Sequence, residues 1–218
     1  MKFENAYKGV KKLFVVQIIE IAAALLALIG AIIATINVAS EANLAAGGII
    51  ITISSIALIV GFVFTLIGLI QAGRDDSHFK TGLWVILIAI VLGIVAAILR
   101  AIPDVVPVVI TIANILDALS TASSIVVLVL TLFGISSLAS QLGNEEMAER
   151  GSSLVNWVII LLAASVILSL VPTFFLVVPN PIGIMFSFFA IVASVIELFV
   201  YIGILIYYIH AIEMLGKN

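Results

Sequence analysis

The fold is decided by the sequence GIMFSFFAIVASVIELFVYIGILIYYIHAIEML at residues 183–215. This stretch is almost wholly apolar and is much longer than the ~20 residues that an α-helix needs to cross a bilayer core. One carboxylate, Glu197, lies near its middle. An acid inside a membrane helix is costly unless it meets a partner, a proton or water, so Glu197 is the first candidate functional residue.

The rest of the chain has a similar composition. Its 218 residues are 64% hydrophobic and only 10% charged, whereas soluble domains carry roughly a quarter charged residues. Six apolar stretches lie at residues 13–36, 45–72, 83–102, 108–138, 154–178 and 183–215, without the alternation over ~10 residues that barrel strands show. We therefore predict an all-α, polytopic integral membrane protein, in which residues 1–218 form a single transmembrane helical bundle with six spans.

The basic residues predict how the chain crosses the membrane. Eight of the nine Lys and Arg side chains lie at the two termini or in the connections after the second and fourth stretches. Only Arg100 lies at the edge of the opposite side. Because positive charge is retained in the cytoplasm, both termini are expected to be cytoplasmic, with the plasma membrane as the expected location.

A short motif recurs near the ends of the even-numbered stretches. It reads TLIGL at residues 65–69, TLFGI at 131–135 and, more loosely, VYIGI at 200–204. Three two-helix hairpins in parallel orientation would explain this pattern, since parallel repeats are one way to build membrane proteins. Chance matches are common in a chain rich in Leu, Ile, Val and Ala, so a bundle without repeats is the alternative.

Polar residues on the first and last stretches predict a candidate site. Gln17 and Glu20 share one helical face, and Glu197 and Tyr201 share another. Counted along the helical rise, Glu20 lies ~12 Å and Glu197 ~9 Å from the cytoplasmic interface. We expect these four residues to form one cluster between the first and sixth helices. No Lys, Arg or His is available at that depth, so the acids must bind or share a proton, hold a cation or contact water.

Two interpretations of this cluster remain open. It can be a structural pair whose hydrogen bonds stabilise helix packing by ~0.6–2 kcal/mol each, or a proton, cation or solute site in a transporter or channel. Arg100 and Asp117, near the outer ends of the third and fourth helices, form a second candidate pair. A structural ion pair is the favoured interpretation there, with snorkelling of each side chain to the interface as the alternative.

The sequence gives little support for an enzyme. His78 lies in a connection and His210 near the membrane edge, so neither joins acids in a metal-binding pattern. No serine lies in a GxSxG motif, and no nucleotide-binding glycine motif is present. We predict no catalytic residues, no metal and no cofactor. The net charge of −3 also gives no basic surface for nucleic acid.

Two functional classes remain. The first is a small-solute or ion passage protein of the transporter or channel kind, with proton coupling as one possibility. The second is a non-catalytic subunit or scaffold that binds a partner protein, or a second copy of itself, through its helices. A water-filled cavity at the acids would favour the first class, and a co-purifying partner would favour the second. The lipid bilayer is the one partner that the composition identifies.

Overall fold

A computed structural model describes residues 2–36, 41–102, 107–174 and 182–217. Within its helices, the side chains at 27, 31–32, 34–36, 41–44, 107, 117–118, 121, 164–174, 182–195 and 197 are not described. The helices are α1 (Glu4–Ile36), α2 (Glu41–Ala72), α3 (Ser77–Arg100), α4 (Pro107–Gln141), α5 (Glu145–Phe174) and α6 (Ile182–Lys217). The described ranges contain no strand, which confirms the all-α prediction.

Helix α3 begins earlier than the apolar pattern predicted. Its N-cap is Asp76, which accepts a hydrogen bond from the backbone N–H of His78 at 2.8 Å. A carboxylate at this position satisfies one of the free N–H groups of the first turn. The helix therefore starts at Ser77 and not at residue 83, because hydropathy indicates where a helix enters lipid while capping determines where it begins.

The turn between α4 and α5 is only three residues long. Gly143 has a positive φ of 73°, a conformation that glycine adopts without steric cost. The side chain of Asn144 then accepts a hydrogen bond from the backbone N–H of Met147 at 3.1 Å and caps α5. The charged segment that follows Asn144 is therefore the start of α5.

Among the described residues, five segments are long and apolar enough to cross a membrane. They are Glu4–Gly30, Ala45–Ala72, Ser77–Arg100, Ala122–Gln141 and Leu198–Lys217. Large apolar side chains are exposed along them, for example Ile59 at 65% and Val91 at 59%. A continuous apolar surface of this kind suits lipid, and a helix satisfies its own backbone hydrogen bonds there. The chain is therefore an integral membrane protein.

The helices form a closed ring in chain order. Each helix contacts the next one along the chain, and α6 returns to contact α1. Contacts are most extensive within the α1–α2 and α3–α4 pairs, and much less extensive between α2 and α3. The ring thus places α1 beside α6, the two helices that carry the expected polar cluster.

The tightest packing lies at one end of this ring, which we call the terminal end. It comprises the start of α1, the turns at 73–76 and 142–144, and the end of α6. Large side chains from all six helices are fully buried in or next to this end: Val10, Leu69, Phe79, Leu132, Ile135, Leu138, Val155, Ile204 and Leu215. This core closes the ring toward the side where the chain begins and ends.

Two neighbouring carboxylates tie the helices together at the terminal end. Asp75 accepts hydrogen bonds from the side-chain amide of Asn5 at 3.0 Å and from the backbone N–H of Ala6 at 2.7 Å. Asp76 accepts one from the hydroxyl of Ser137 at 2.9 Å. The turn after α2 therefore holds both α1 and α4, which compensates for the limited contact between α2 and α3.

Candidate functional site

A cavity of about 490 Å³ lies between the helices, on the far side of the terminal-end core. Residues of α1, α2, α4, α5 and α6 line it. Its polar lining consists of Gln17, Glu20, Ser54, Thr65, Ser124, Thr131, Tyr201 and Tyr208. We call this space the central cavity. Three of the four residues expected to form one cluster, Gln17, Glu20 and Tyr201, line it together.

Gln17 is the most unusual polar side chain in the cavity wall. The residue is only 3% exposed, and its Nε2 atom has no hydrogen-bond partner in the described part of the chain. Leaving a buried donor unsatisfied costs about 1–3 kcal/mol. Gln17 is therefore a buried amide that the described residues do not fully satisfy.

Glu20 lies one turn farther along the same face of α1. It is partly buried and lines the same cavity as Gln17. Among the described residues, the cavity lining includes no Lys, Arg or His side chain. The carboxyl group therefore faces hydroxyl, amide and apolar neighbours, and an ionised carboxylate here would need a cation or water to compensate its charge.

Hydroxyl groups on α2 and α4 use their protons within the protein. Ser54 donates to the backbone carbonyl of Ala23 at 2.7 Å, and this bond joins α2 to α1. Thr65 and Thr131 each donate to a carbonyl four residues earlier in their own helix, at 3.0 and 2.8 Å. A hydroxyl oxygen that donates still has two lone pairs. These lining residues therefore carry hydroxyl protons that are already used within the protein.

Ser54, Thr65 and Tyr208 line the cavity but were not predicted as site residues from the sequence. Tyr208 lies on the same face of α6 as Tyr201, two turns onward, and is buried at 3% exposure. Its spacing from Tyr201 was the available signal. For Ser54 and Thr65 the surrounding α2 sequence is uniformly apolar, and only the packing of α2 on α1 reveals which of its hydroxyls face inward.

Two residues of the predicted sites, Glu197 and Asp117, have side chains that the structure does not describe. The backbone of Glu197 belongs to α6 and that of Asp117 to α4, but neither side chain is among the described residues. Arg100 donates a hydrogen bond to the side-chain oxygen of Asn114 at 3.0 Å. Asn114 lies one turn before Asp117 on α4. The Arg100–Asp117 pair and the participation of Glu197 in the cluster both remain predictions.

A smaller cleft of about 280 Å³ lies at the terminal end, between the start of α5 and the end of α6. Arg150, His210 and Lys217 line it together with Glu146 and Glu213. The mixture of both charges gives it no strong preference for an anion or a cation. Among the described residues, no three His, Asp or Glu side chains are arranged to hold a metal ion.

No protein-family model, curated protein or solved structure matches this chain. The function is therefore inferred from the central cavity.

Proposed function

We propose that this protein conducts a small solute or ion across the membrane, with the central cavity as its binding site. The observation that carries the proposal is the cavity of about 490 Å³ between the helices, whose lining includes Glu20 and the buried amide residue Gln17. Intramembrane carboxylates face protein interiors or water-filled cavities and commonly mark ion or substrate pathways. A purely structural cluster would be expected to satisfy its own donors.

Each polar residue then has a distinct role. Glu20 supplies a proton-binding or cation-binding group, Gln17 donates a hydrogen bond, and Tyr201 and Tyr208 contribute the α6 wall. We further propose that Glu197 belongs to the same site. It lies four residues before Tyr201 on α6, which puts the two positions on one helical face.

We propose that all six helices span the membrane. Helix α4 ends at the terminal end of the ring, α5 begins there after a three-residue turn, and α6 runs back to finish at the same end. Helix α5 must therefore carry the chain to the far end between them. Its 30 residues correspond to a length of ~45 Å, enough to cross a ~30 Å hydrocarbon core.

We propose that the terminal end of the ring faces the cytoplasm of a plasma membrane. Eight of the nine basic residues lie on that side, and positive charge is retained in the cytoplasm.

We also propose that the ring consists of three parallel hairpin repeats. The glycine of each repeated motif lies against the first helix of its own hairpin. The contacts of a Cβ placed at these glycines are 2.9 Å from Gly68 to Leu13, 2.6 Å from Gly134 to Phe79 and 3.7 Å from Gly203 to Leu154. The glycine of the motif packs at the same position in all three hairpins, and this supports the repeat more directly than the similarity of the three sequence motifs does.

The test is flux through liposomes that contain the purified full-length protein. Gradients of protons, potassium ions and small polar solutes are imposed in turn, and dissipation is compared with that of empty liposomes. Glu20→Gln should reduce the rate of any observed flux by about tenfold or more, because it keeps the hydrogen-bonding shape and removes the charge. Glu149→Gln, which changes an exposed acid outside the cavity, is the matched control and should leave flux unchanged.

Two results would overturn the proposal. One is the absence of flux under every gradient, which would leave the non-catalytic subunit or scaffold as the remaining interpretation. The other is wild-type flux in the Glu20→Gln variant, since the cavity would then not be the path.

A further inference from the structure

The α1–α2 hairpin is packed through one face of α2. Before Leu69, the buried positions among the described α2 side chains recur every seven residues, which places them on a single helical face: Gly47, Ser54, Gly61 and Gly68. Each of them lies against α1. Ser54 donates its hydrogen bond to Ala23, and a Cβ at Gly68 would lie 2.9 Å from Leu13. The buried face of α2 is therefore used on α1.

The α3–α4 hairpin is packed in the same way. The buried positions of α3 after Phe79 are Gly82, Ala89 and Ala96, again seven residues apart and on one face. Ser120 of α4 donates a hydrogen bond to the carbonyl of Ala89 at 3.0 Å, so this face lies on α4. Beyond Gly82, the buried face of α3 is therefore directed at α4 and not at α2.

The two hairpins meet at Gly82. A Cβ there would lie 3.7 Å from Leu69 of α2 and 3.9 Å from Leu130 of α4, so three helices converge beside the terminal-end core. Along the rest of their described length, α2 and α4 do not come within 8 Å of each other, measured between Cα atoms. The hairpins therefore enclose a cleft that is closed toward the terminal end and lies between α2 on one side and α3 and α4 on the other.

The central cavity is accessible on the side of this cleft. Three of its lining residues are exposed: Ala24 on α1, Leu58 on α2, at 47%, and Ser124 on α4. The described lining residues of α5 and α6 are buried or half-buried: Leu162, Tyr201 and Tyr208. No described residue of α3 lines the cavity, so α3 does not close the space between α2 and α4. The cavity thus opens through the cleft.

The opening lies at the level of the hydrocarbon core. Leu58 is at the middle of the span Ala45–Ala72, far from either aqueous interface. The walls of the cleft come from residues 42–72, 81–99 and 118–141, and these three stretches contain no Asp, Glu, Lys or Arg. No charged group on the walls would draw water into the opening. The molecules that face it are therefore the acyl chains of the bilayer.

We infer that the central cavity opens sideways into the bilayer between α2 and the α3–α4 hairpin, and that an acyl chain of a membrane lipid enters it there. The cavity volume of about 490 Å³ lies within the ~300–1,000 Å³ that ligand pockets usually have. Several apolar side chains are available to contact the acyl chain: Leu58, Ile125, Val127 and Leu128. This inference goes beyond the proposed passage function, because a lipid can occupy the opening whether or not a solute crosses the membrane.

Tryptophan fluorescence in vesicles of brominated lipid tests the inference. The exposed Trp84 and Trp157 are first replaced by phenylalanine, and a single tryptophan is then introduced at Leu128, a half-buried residue of the cavity wall. The full-length variant is reconstituted in phosphatidylcholine with brominated or unbrominated acyl chains. Bromine quenches a tryptophan that it contacts. Leu128→Trp should therefore lose at least about half as large a fraction of its fluorescence as a lipid-facing tryptophan loses.

Two control variants set the limits of this comparison. Ile59→Trp, next to Leu58 and 65% exposed, reports full contact with lipid. Tyr207→Trp replaces a buried aromatic side chain that does not line the cavity, and it reports a position that lipid does not reach. Ile125→Trp, which lies on the same helix and also lines the cavity, repeats the measurement if Leu128→Trp does not fold.

The outcomes separate this inference from the proposed function. Quenching of Leu128→Trp no greater than that of Tyr207→Trp would overturn the inference. Quenching by aqueous iodide without quenching by brominated lipid would also overturn it, since the cavity would then hold water and be closed to the bilayer. Quenching by lipid that approaches that of Ile59→Trp would support it. Such quenching in a protein that conducts nothing would leave the lateral opening and remove the passage function, and flux without quenching would do the reverse.

Discussion

Gly9 of α1 and Gly68 of α2 bring their helix backbones into direct contact. A Cβ atom at Gly9 would lie only 2.5 Å from the carbonyl oxygen of Gly68 and 2.6 Å from the backbone nitrogen of Ala72. In lipid, where the hydrophobic effect does not drive helices together, small residues of this kind allow the close packing that stabilises a helix pair. The α1–α2 hairpin, which carries Gln17, Glu20 and Ser54, depends on this contact.

Substitution Gly9→Ala should destabilise the protein by about 1–3 kcal/mol, because the new methyl group meets backbone atoms that cannot rotate away. Gly48→Ala is the matched control, since a Cβ there meets nothing within 4 Å and alanine favours a helix. Thermal unfolding in detergent, followed by circular dichroism, measures both variants. Equal melting temperatures for the two would show that the close approach does not exist.

A second close approach allows a rescue experiment. A Cβ at Gly151 of α5 would lie within van der Waals overlap of the hydroxyl of Tyr207 on α6, and that hydroxyl donates to the carbonyl of Met147 at 3.3 Å. Gly151→Ala should cost about 1–3 kcal/mol, and Tyr207→Phe about 0.5–1.5 kcal/mol. The double variant should be more stable than the sum of these costs predicts, because the methyl group occupies part of the space that the hydroxyl leaves. Strictly additive losses in thermal unfolding would contradict the contact.

The sequence predicted an integral membrane protein and drew attention to Gln17 and Glu20 for a simple reason. Polar side chains such as Gln17 and Glu20 stand out against an apolar run, and their shared helical face follows from the helix period alone. The sequence could not predict that Ser54 faces α1 while its neighbour Ser55 is exposed. That distinction depends on the rotation of α2 against α1, which the glycine contacts determine and hydropathy does not report.

The helix ends were less predictable for a related reason. Asp76 and Asn144 are polar residues between apolar runs, and hydropathy treats them as loop. Their capping bonds extend α3 and α5 into the polar sequence. In the same way, the bond between Asp76 and Ser137 joins residues 61 positions apart, and no local pattern indicates such a partner.

Replacing Asp76 should weaken the terminal end of the ring. Asp76→Ala removes the N-cap of α3 and the acceptor of the Ser137 hydroxyl, with an expected cost of about 0.5–2 kcal/mol for the cap alone. Asp76→Ser retains a capping oxygen and should recover part of the loss. The control is Ser77→Ala, at an exposed neighbouring position. Thermal unfolding, together with amide hydrogen exchange of the first turn of α3, measures the effect, and an Asp76→Ala variant as stable as the control would show that the buried carboxylate does not support the fold.

The absence of cysteine from the sequence makes the topology directly testable. Single-cysteine variants at exposed positions Lys80 and Asn144 mark the terminal end, and variants at Ala45 and Ile102 mark the far end. A membrane-impermeant maleimide should label the first pair only in inside-out vesicles and the second pair only in right-side-out vesicles, because the terminal end is expected to be cytoplasmic. The cysteine-free parent reports background labelling. Labelling of all four variants from the same side would contradict a bundle whose helices cross the membrane.

The contact between α6 and α1 also brings the start of α1 and the end of α6 together. Tyr7 lies beside Gly216, where an added Cβ would be 3.3 Å from the tyrosine ring. Neighbouring termini of this kind are compatible with circular permutation. A short peptide could join the end of α6 to the start of α1, and the chain could be opened at the exposed Gly143 turn instead, so that the α5–α6 hairpin is synthesised and inserted first. We expect the permuted chain to form the same helical bundle, because the contacts between the helices do not depend on which helix is synthesised first.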